Sequence, residues 1–137
     1  MMDSLTHKKR SWNMSQIKNC DTKKEKIVRS LLHHKGYRFR LYRKDLPGKP
    51  DIVLPKYKKI IFVHGCFWHR HEGCRYAYTP KSRIDFWENK FKKNIQHDKE
   101  VQSVLSELGW QVYIIWECET QKLDKLNKII DSIFQHS

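Results

Sequence analysis

No stretch of this chain reaches the roughly 18 consecutive apolar residues that a membrane span needs, and the first ten residues, Met1 to Arg10, lack the apolar core of a secretory leader. Nor is there an amphipathic helix with one dominant apolar face ringed by lysine, as a membrane-surface protein would carry. Internal repeats and low-complexity linkers are missing as well. Acid is in short supply, with 15 Asp and Glu against 28 Lys and Arg. These absences lead to the expectation of a cytoplasmic, nucleoid-associated protein. In such a reducing compartment the four cysteines, Cys20, Cys66, Cys74 and Cys118, are metal ligands or free thiols before they are disulfides.

What is present is basic charge. The net charge is +13 over 137 residues, and Lys and Arg run along the whole chain. A surface of this kind suits a polyanion, because neutralising phosphates releases condensed counterions, and nucleic acid fits it better than an anionic membrane. The length suits one compact domain. Residues 1–19 read as a basic N-terminal arm, in which Trp12 and Met14 either pack on the domain or lie along DNA. Residues 20–137 read as the folded domain.

Taken in order, Thr22 to Glu25 form a capping box. A helix is expected to follow, with Ile27, Val28, Leu31 and Leu32 on one face and Gly36 as its stop. Tyr37 to Tyr42 alternates apolar and basic residues like a half-buried strand. Leu46 to Pro50 is a turn, Asp51 to Leu54 a short strand, Pro55 to Lys58 a hairpin loop and Lys59 to Gly65 the next strand. If Leu54 pairs with Lys59, antiparallel register sets Asp51 opposite Phe62 and beside the backbone of Val63; Asp51 is then either a turn cap or a site residue. A helix starting at the cap Ser82 carries Ile84, Trp87, Phe91, Ile95, Gln102 and Leu105 on one stripe. Asp98 falls inside that stripe and needs a partner, either a basic side chain or a catalytic histidine. Gly109 ends the helix, and Gln111 to Trp116 is a second apolar strand, parallel to the first through the helical crossover. Leu123, Leu126, Ile130, Ile133 and Phe134 mark a last amphipathic helix. The expected fold is α/β, a single domain with a mixed central sheet flanked by helices.

The densest chemistry lies between Val63 and Cys74, directly after the strand Ile60 to Val63, where an α/β sheet tends to place its site. Cys66, His71 and Cys74, joined by Cys118 from the end of the other apolar strand, make a Zn²⁺ signature of closed tetrahedral type that leaves no position open for chemistry. On spacing alone His64, His69 and His71 all compete for the imidazole position. The adjacent aromatics Phe67 and Trp68, and Trp87 on the helix stripe, are core residues on the ordinary reading.

Together, Pro47 to Asp51, Phe62 to His69, Asp85-Phe86-Trp87, Asn94 to Asp98 and Leu108 to Cys118 resemble the very-short-patch repair (Vsr) DNA mismatch endonucleases. The Asn13-Met14 region and Asp21 to Glu25 share that likeness, which runs from about Arg10 to Cys118. The resemblance implies a restriction-endonuclease-like fold with a structural zinc loop and without the lysine usual in that active site. It implies nicking of one strand of duplex DNA on the 5′ side of the thymine in a T:G mismatch, the lesion left when 5-methylcytosine deaminates. It further implies Asp51 as the Mg²⁺ ligand with the main-chain carbonyl of Val63, His69 as general base or acid, and Asp98 as the carboxylate orienting the site. His64 and Glu25 would hold waters at the metal. Cys66, His71, Cys74 and Cys118 would bind zinc. Phe67, Trp68 and Trp87 would wedge into the base stack while Met14 and Ile17 press from the opposite groove. The implied partner is double-stranded DNA with a T:G mismatch, with mismatch-repair proteins as candidates and the chain acting as a monomer. The family pattern has Thr at position 63, where this chain has Val, and Glu72-Gly73 adds a residue to the zinc loop. Two other functions fit the same residues: a restriction-like enzyme nicking matched duplex at its own sequence, and a zinc-bearing DNA-binding protein without catalysis.

Overall fold

A computed structural model describes residues 22–135; the expectations for Met14, Ile17, Cys20 and the N-terminal arm fall outside these residues. Helix α1 spans Lys23–His34 and starts where expected, the Thr22 hydroxyl accepting from the Glu25 amide at 3.4 Å. Only half of the capping box forms, because the Glu25 carboxylate turns inward and leaves the cap. Val28 and Leu32 are fully buried on the apolar face, and the chain leaves α1 through Gly36 at φ +88°.

Four strands follow in the order β1 (Arg40–Leu41), β2 (Ile52–Leu54), β3 (Lys59–His64) and β4 (Gln111–Trp116), and the sheet keeps that same order in space. β1 and β2 are antiparallel, β2 and β3 are antiparallel, and β3 and β4 are parallel. The sheet is therefore mixed, as the crossover pattern requires. β1 is shorter than the alternation from Tyr37 to Tyr42 suggests, since Tyr42 takes φ +49°, which ends an extended segment. A single 3-10 turn, Pro55–Tyr57, closes the β2–β3 hairpin.

Helix α2 (Ile84–Glu107) makes the crossover between β3 and β4, and α3 (Leu123–Phe134) ends the described fold. The chain enters α2 through Arg83 in the left-handed region, with no side-chain cap, so Ser82 is not the cap. The buried face of α2 consists of Phe91, Val101 and Leu105. Ile84 is exposed, and Val101 takes the place assigned to Gln102, the steps 98, 101 and 105 keeping one helical face. Leu123 is likewise exposed, while Leu126, Ile130, Ile133 and Phe134 are buried as their spacing predicts.

Alternation along β3 divides the core into two layers. Ile61 and Val63 join Val28, Leu32, Leu126 and Ile130 on the α1 and α3 face. Ile60 and Phe62 join Val101, Leu105 and Trp110 on the α2 face. Burial on both sides explains why β3 reads as a continuous apolar run. Gly48 fixes how closely the turn before β2 meets α2. It has φ +73°, and a Cβ there would stand 2.5 Å from Val101 Cγ1, so only glycine meets both demands.

Candidate active site and metal centre

The hairpin register sets the first functional group. Leu54 pairs with Lys59, Val53 with Ile60 and Ile52 with Ile61, and one further step brings Asp51 to the site end of β3. There the Val63 amide donates to Asp51 Oδ2 at 2.7 Å. Burial is the main influence on this carboxyl and pushes it up to about 7, aided by the negative charge of Glu25 and opposed by the Val63 amide and the charges of His69 and Lys24. A half-buried carboxylate that is costly to ionise alone is a fit for a divalent cation, which would restore the charged form. Glu25 is buried on the same side, and the Tyr42 hydroxyl donates to it.

Across the cleft, His69 Nδ1 lies 2.7 Å from Asp98 Oδ2. α2 supplies the carboxylate on its sheet-facing side and the loop after β3 supplies the ring. The pair is neither fully buried nor fully open, at 30% and 17% side-chain exposure. With Nδ1 committed to Asp98, the other ring nitrogen of His69 is the one left for chemistry. His64 stacks on His69 with centroids 3.8 Å apart and planes 10° from parallel. Burial, then the neighbouring His69, lowers His64 to about 4, so it is a neutral imidazole near pH 7. The donor atoms of His64, His69 and Asp98 lie within 4.8 Å of one another. Nearly parallel rings aim their in-plane lone pairs side by side instead of at one ion, so this trio is better described as a hydrogen-bonded dyad with a stacked neighbour than as a metal site.

Asp51, Glu25, His64, His69 and Asp98 all line one cleft of about 950 Å³. Sequence reasoning placed the three last-named groups within reach of one another only through the family resemblance; the geometry brings them together directly.

Beyond the dyad the chain forms a second cluster. β3 and β4 are in register with His64 opposite Trp116, so Cys66 and Cys118 each stand two residues past matching strand ends. Their sulfurs, with Cys74 Sγ and a ring nitrogen of His71, lie within 4.8 Å of one another. His71 Nδ1 is 3.6 Å from Cys66 Sγ and 3.4 Å from Cys118 Sγ. A tetrahedral zinc with one imidazole and thiolates spaces nitrogen and sulfur by about 3.6 Å, so the four residues fit that ion. Burial pushes the Cys66 thiol up to about 12 and raises Cys118, whereas backbone N–H groups led by that of Tyr76 lower Cys74. Binding a cation here would therefore expel protons. The competition among the histidines resolves at Arg70, which takes φ +56°. His69 on one side of it faces Asp98, and His71 on the other faces the cysteines and stacks on Trp116 at 4.3 Å.

Aromatic rings form the rim. Phe67 contacts Trp68, Trp87 and Phe91 with centroids 5.1, 5.6 and 5.3 Å apart. Trp68 is 40% exposed and Phe86 44%, so the cluster is anchored on α2 and open to solvent at its tip. Three contacts that sequence reasoning missed hold this rim and the site. Asn94 donates to the Trp68 carbonyl at 3.1 Å; it shares a helix face with Phe91 and Asp98, and periodicity could have found it. Arg70 donates to the carbonyls of Phe67 and Tyr78 and lies 4.0 Å over the Phe91 ring. Tyr42 holds Glu25. No spacing rule signals the last two.

Known proteins resemble this chain in sequence. The family profile described as DNA mismatch endonuclease Vsr matches residues 2–75, more than half of the chain. The type II nicking enzyme V.XorIIP of Xanthomonas oryzae pv. oryzae is 47% identical over the full length of both chains. The type II nicking enzyme V.NmeAIP of Neisseria meningitidis serogroup A is 41% identical over 97% of each. The DNA mismatch endonuclease Vsr of Escherichia coli is 45% identical over 117 residues, 85% of this chain and 74% of that protein.

Proposed function

The chain belongs to the DNA mismatch endonuclease Vsr family, and from that premise we propose that it nicks one strand of duplex DNA 5′ of the thymine in a T:G mismatch. The nick would initiate very-short-patch repair of deaminated 5-methylcytosine. The observation that carries this reading is the sharing of one cleft by the His69–Asp98 pair and the half-buried Asp51, with the exposed indole of Trp68 at its rim.

Each residue has a role in this reading. Asp51 and the Val63 carbonyl hold Mg²⁺, which when bound supplies charge neutralisation at the phosphate and activation of water. His69, held by Asp98 through Nδ1, moves a proton with its second nitrogen, a task suited to an imidazole near neutral pH. Neutral His64 keeps positive charge away from the stacked His69 ring and, with Glu25 fixed by Tyr42, orders water at the metal site. Cys66, His71, Cys74 and Cys118 hold Zn²⁺ in a filled shell that sets the loop between dyad and rim and takes no part in cleavage. Phe67, Trp68 and Trp87 unstack the bases beside the mismatch. Unstacking costs a few kcal/mol per step and less where pairing is already imperfect, so a wedge favours mismatched sites. Met14 and Ile17, both within the basic arm of residues 1–19, would press from the opposite groove. The chain acts as a monomer, with mismatch-repair proteins as candidate partners. Among the described residues no helix is long and apolar enough to cross a membrane.

The names of V.XorIIP and V.NmeAIP as type II nicking enzymes favour a second reading, a nick at a defined sequence in matched duplex. Incubating the protein and Mg²⁺ with matched and T:G duplexes of one sequence separates the two. The proposal expects a single-strand nick 5′ of the mismatched thymine and little cutting of the matched duplex. Equal nicking of both would support the second reading, and tight binding with no nick would leave a non-catalytic DNA-binding protein.

A further inference from the structure

Lys24 stands in the first turn of α1 beside the buried Glu25, half-buried at the floor of the cleft. A methyl group placed on Gly65 would lie 3.9 Å from its Cε and 4.0 Å from its Nζ. Its ammonium is thus at the end of β3, where Asp51 and His69 converge, and β3 itself brings no cation to that end. Other lysines near sites of interest are engaged: Lys59 donates to Gln111, Lys35 pairs with Asp131, and Lys90 lies over the rings of Trp68 and Phe86. Among the described residues Lys24 forms no ion pair or side-chain hydrogen bond, although Glu117 Oε1 lies 3.8 Å from the same point on Gly65. Lys49 also borders the cleft but is exposed, and of these two lysines Lys24 is the one whose charge acts on Asp51.

A half-buried lysine that lines the cleft with no anion paired to it holds its ammonium ready for an anionic ligand. We propose that Lys24 is a catalytic residue of the nicking reaction, donating to a non-bridging oxygen of the scissile phosphate. This rests on the nicking reading above. In that reaction the water oxygen bonds to phosphorus, one P–O ester bond breaks, one water proton passes to the base and a proton ends on the leaving oxygen. Lys24 stays protonated throughout. Negative charge grows on the phosphate oxygens as the water attacks, so a fixed cation there acts more on the transition state than on bound DNA.

The test compares wild type with Lys24→Met and Lys24→Arg on a T:G duplex, by single-turnover nicking with Mg²⁺ and by metal-free binding at several salt concentrations. Lys24→Met is expected to slow nicking by about 100-fold. Binding should weaken by no more than about tenfold, and the slope of log affinity against log salt should flatten by about 0.9, one phosphate contact. Lys24→Arg should recover most of the rate, and the melting temperature should stay within about 2 °C. A Lys24→Met rate within about threefold of wild type, or an unchanged salt slope, overturns the proposal. Recovery of the Lys24→Met rate at high Mg²⁺ also overturns it, making Lys24 a positioning residue for the Asp51 carboxylate. Failure of the wild type to nick either duplex would instead remove the nicking reading itself.

Discussion

Replacing Asp51 with Asn is expected to stabilise the metal-free protein at high pH while abolishing nicking. Burial raises the Asp51 carboxyl from 3.8 to about 7, so the folded state favours the protonated form. Its contribution to stability is complete below about pH 4 and is lost as the pH climbs through about 7. About three pKa units correspond to about 4 kcal/mol at most, and relaxation around the charge will reduce this. Asn keeps an oxygen to accept from the Val63 amide but cannot ionise. Thermal melts in chelator at pH 4.5 and pH 8 therefore should show nearly equal midpoints at the low pH. At pH 8 the variant should melt higher by up to roughly 10 °C, taking about 3 °C per kcal/mol for a domain of this size. Mg²⁺ at pH 8 should raise the midpoint of wild type and leave the variant unmoved. A gap between the two proteins that is the same at both pH values would refute a desolvated, reluctantly ionised Asp51. An Mg²⁺ response retained by the variant would take the ion away from this residue.

Three more expectations follow from the geometry. Cys118→Ser should lower bound zinc below one equivalent and destabilise the fold, read by metal analysis and melting; a full zinc complement in the variant would break the four-residue assignment. Gly48→Ala should cost about 1–3 kcal/mol, because the new methyl meets Val101 and the backbone holds a left-handed φ. Pairing it with Val101→Ala should recover part of that loss in denaturant melts, and strict additivity would show that the contact is not the cause. Trp68→Ala should weaken binding to T:G duplex by about 1–3 kcal/mol while changing matched-duplex binding less; an equal loss on both would remove the indole from mismatch recognition.

Much of this architecture was legible in the chain because it rests on periodicity and register. The hairpin count from Leu54 and Lys59 puts Asp51 beside Val63, and the continuous apolar run of β3 marks a strand buried on both faces. Asp98 on the α2 stripe demanded a partner, though periodicity could not say whether that partner was a lysine or His69. The less legible features depend on single backbone angles. Tyr42, Arg70 and Arg83 sit at positive φ without being glycine. Through them β1 ends early, His69 and His71 face opposite ways, and the cap of α2 falls one residue later than Ser82. Glu25 misled differently: its spacing from Thr22 suits a capping box, and only the distant Tyr42 diverts it to the cleft.

The position of Cys118 has a consequence for when this protein becomes dangerous to DNA. On the proposed zinc assignment, a growing chain acquires Asp51, His64 and His69 early, yet the sulfur that would complete the metal shell arrives only after β4 has been made and laid alongside β3. Until then the loop lacks its fourth fastening, the condition that Cys118→Ser reproduces in a finished chain. On the reading developed above, a strand-breaking centre of this design matures late in synthesis and stays inert in fragments cut off before that point.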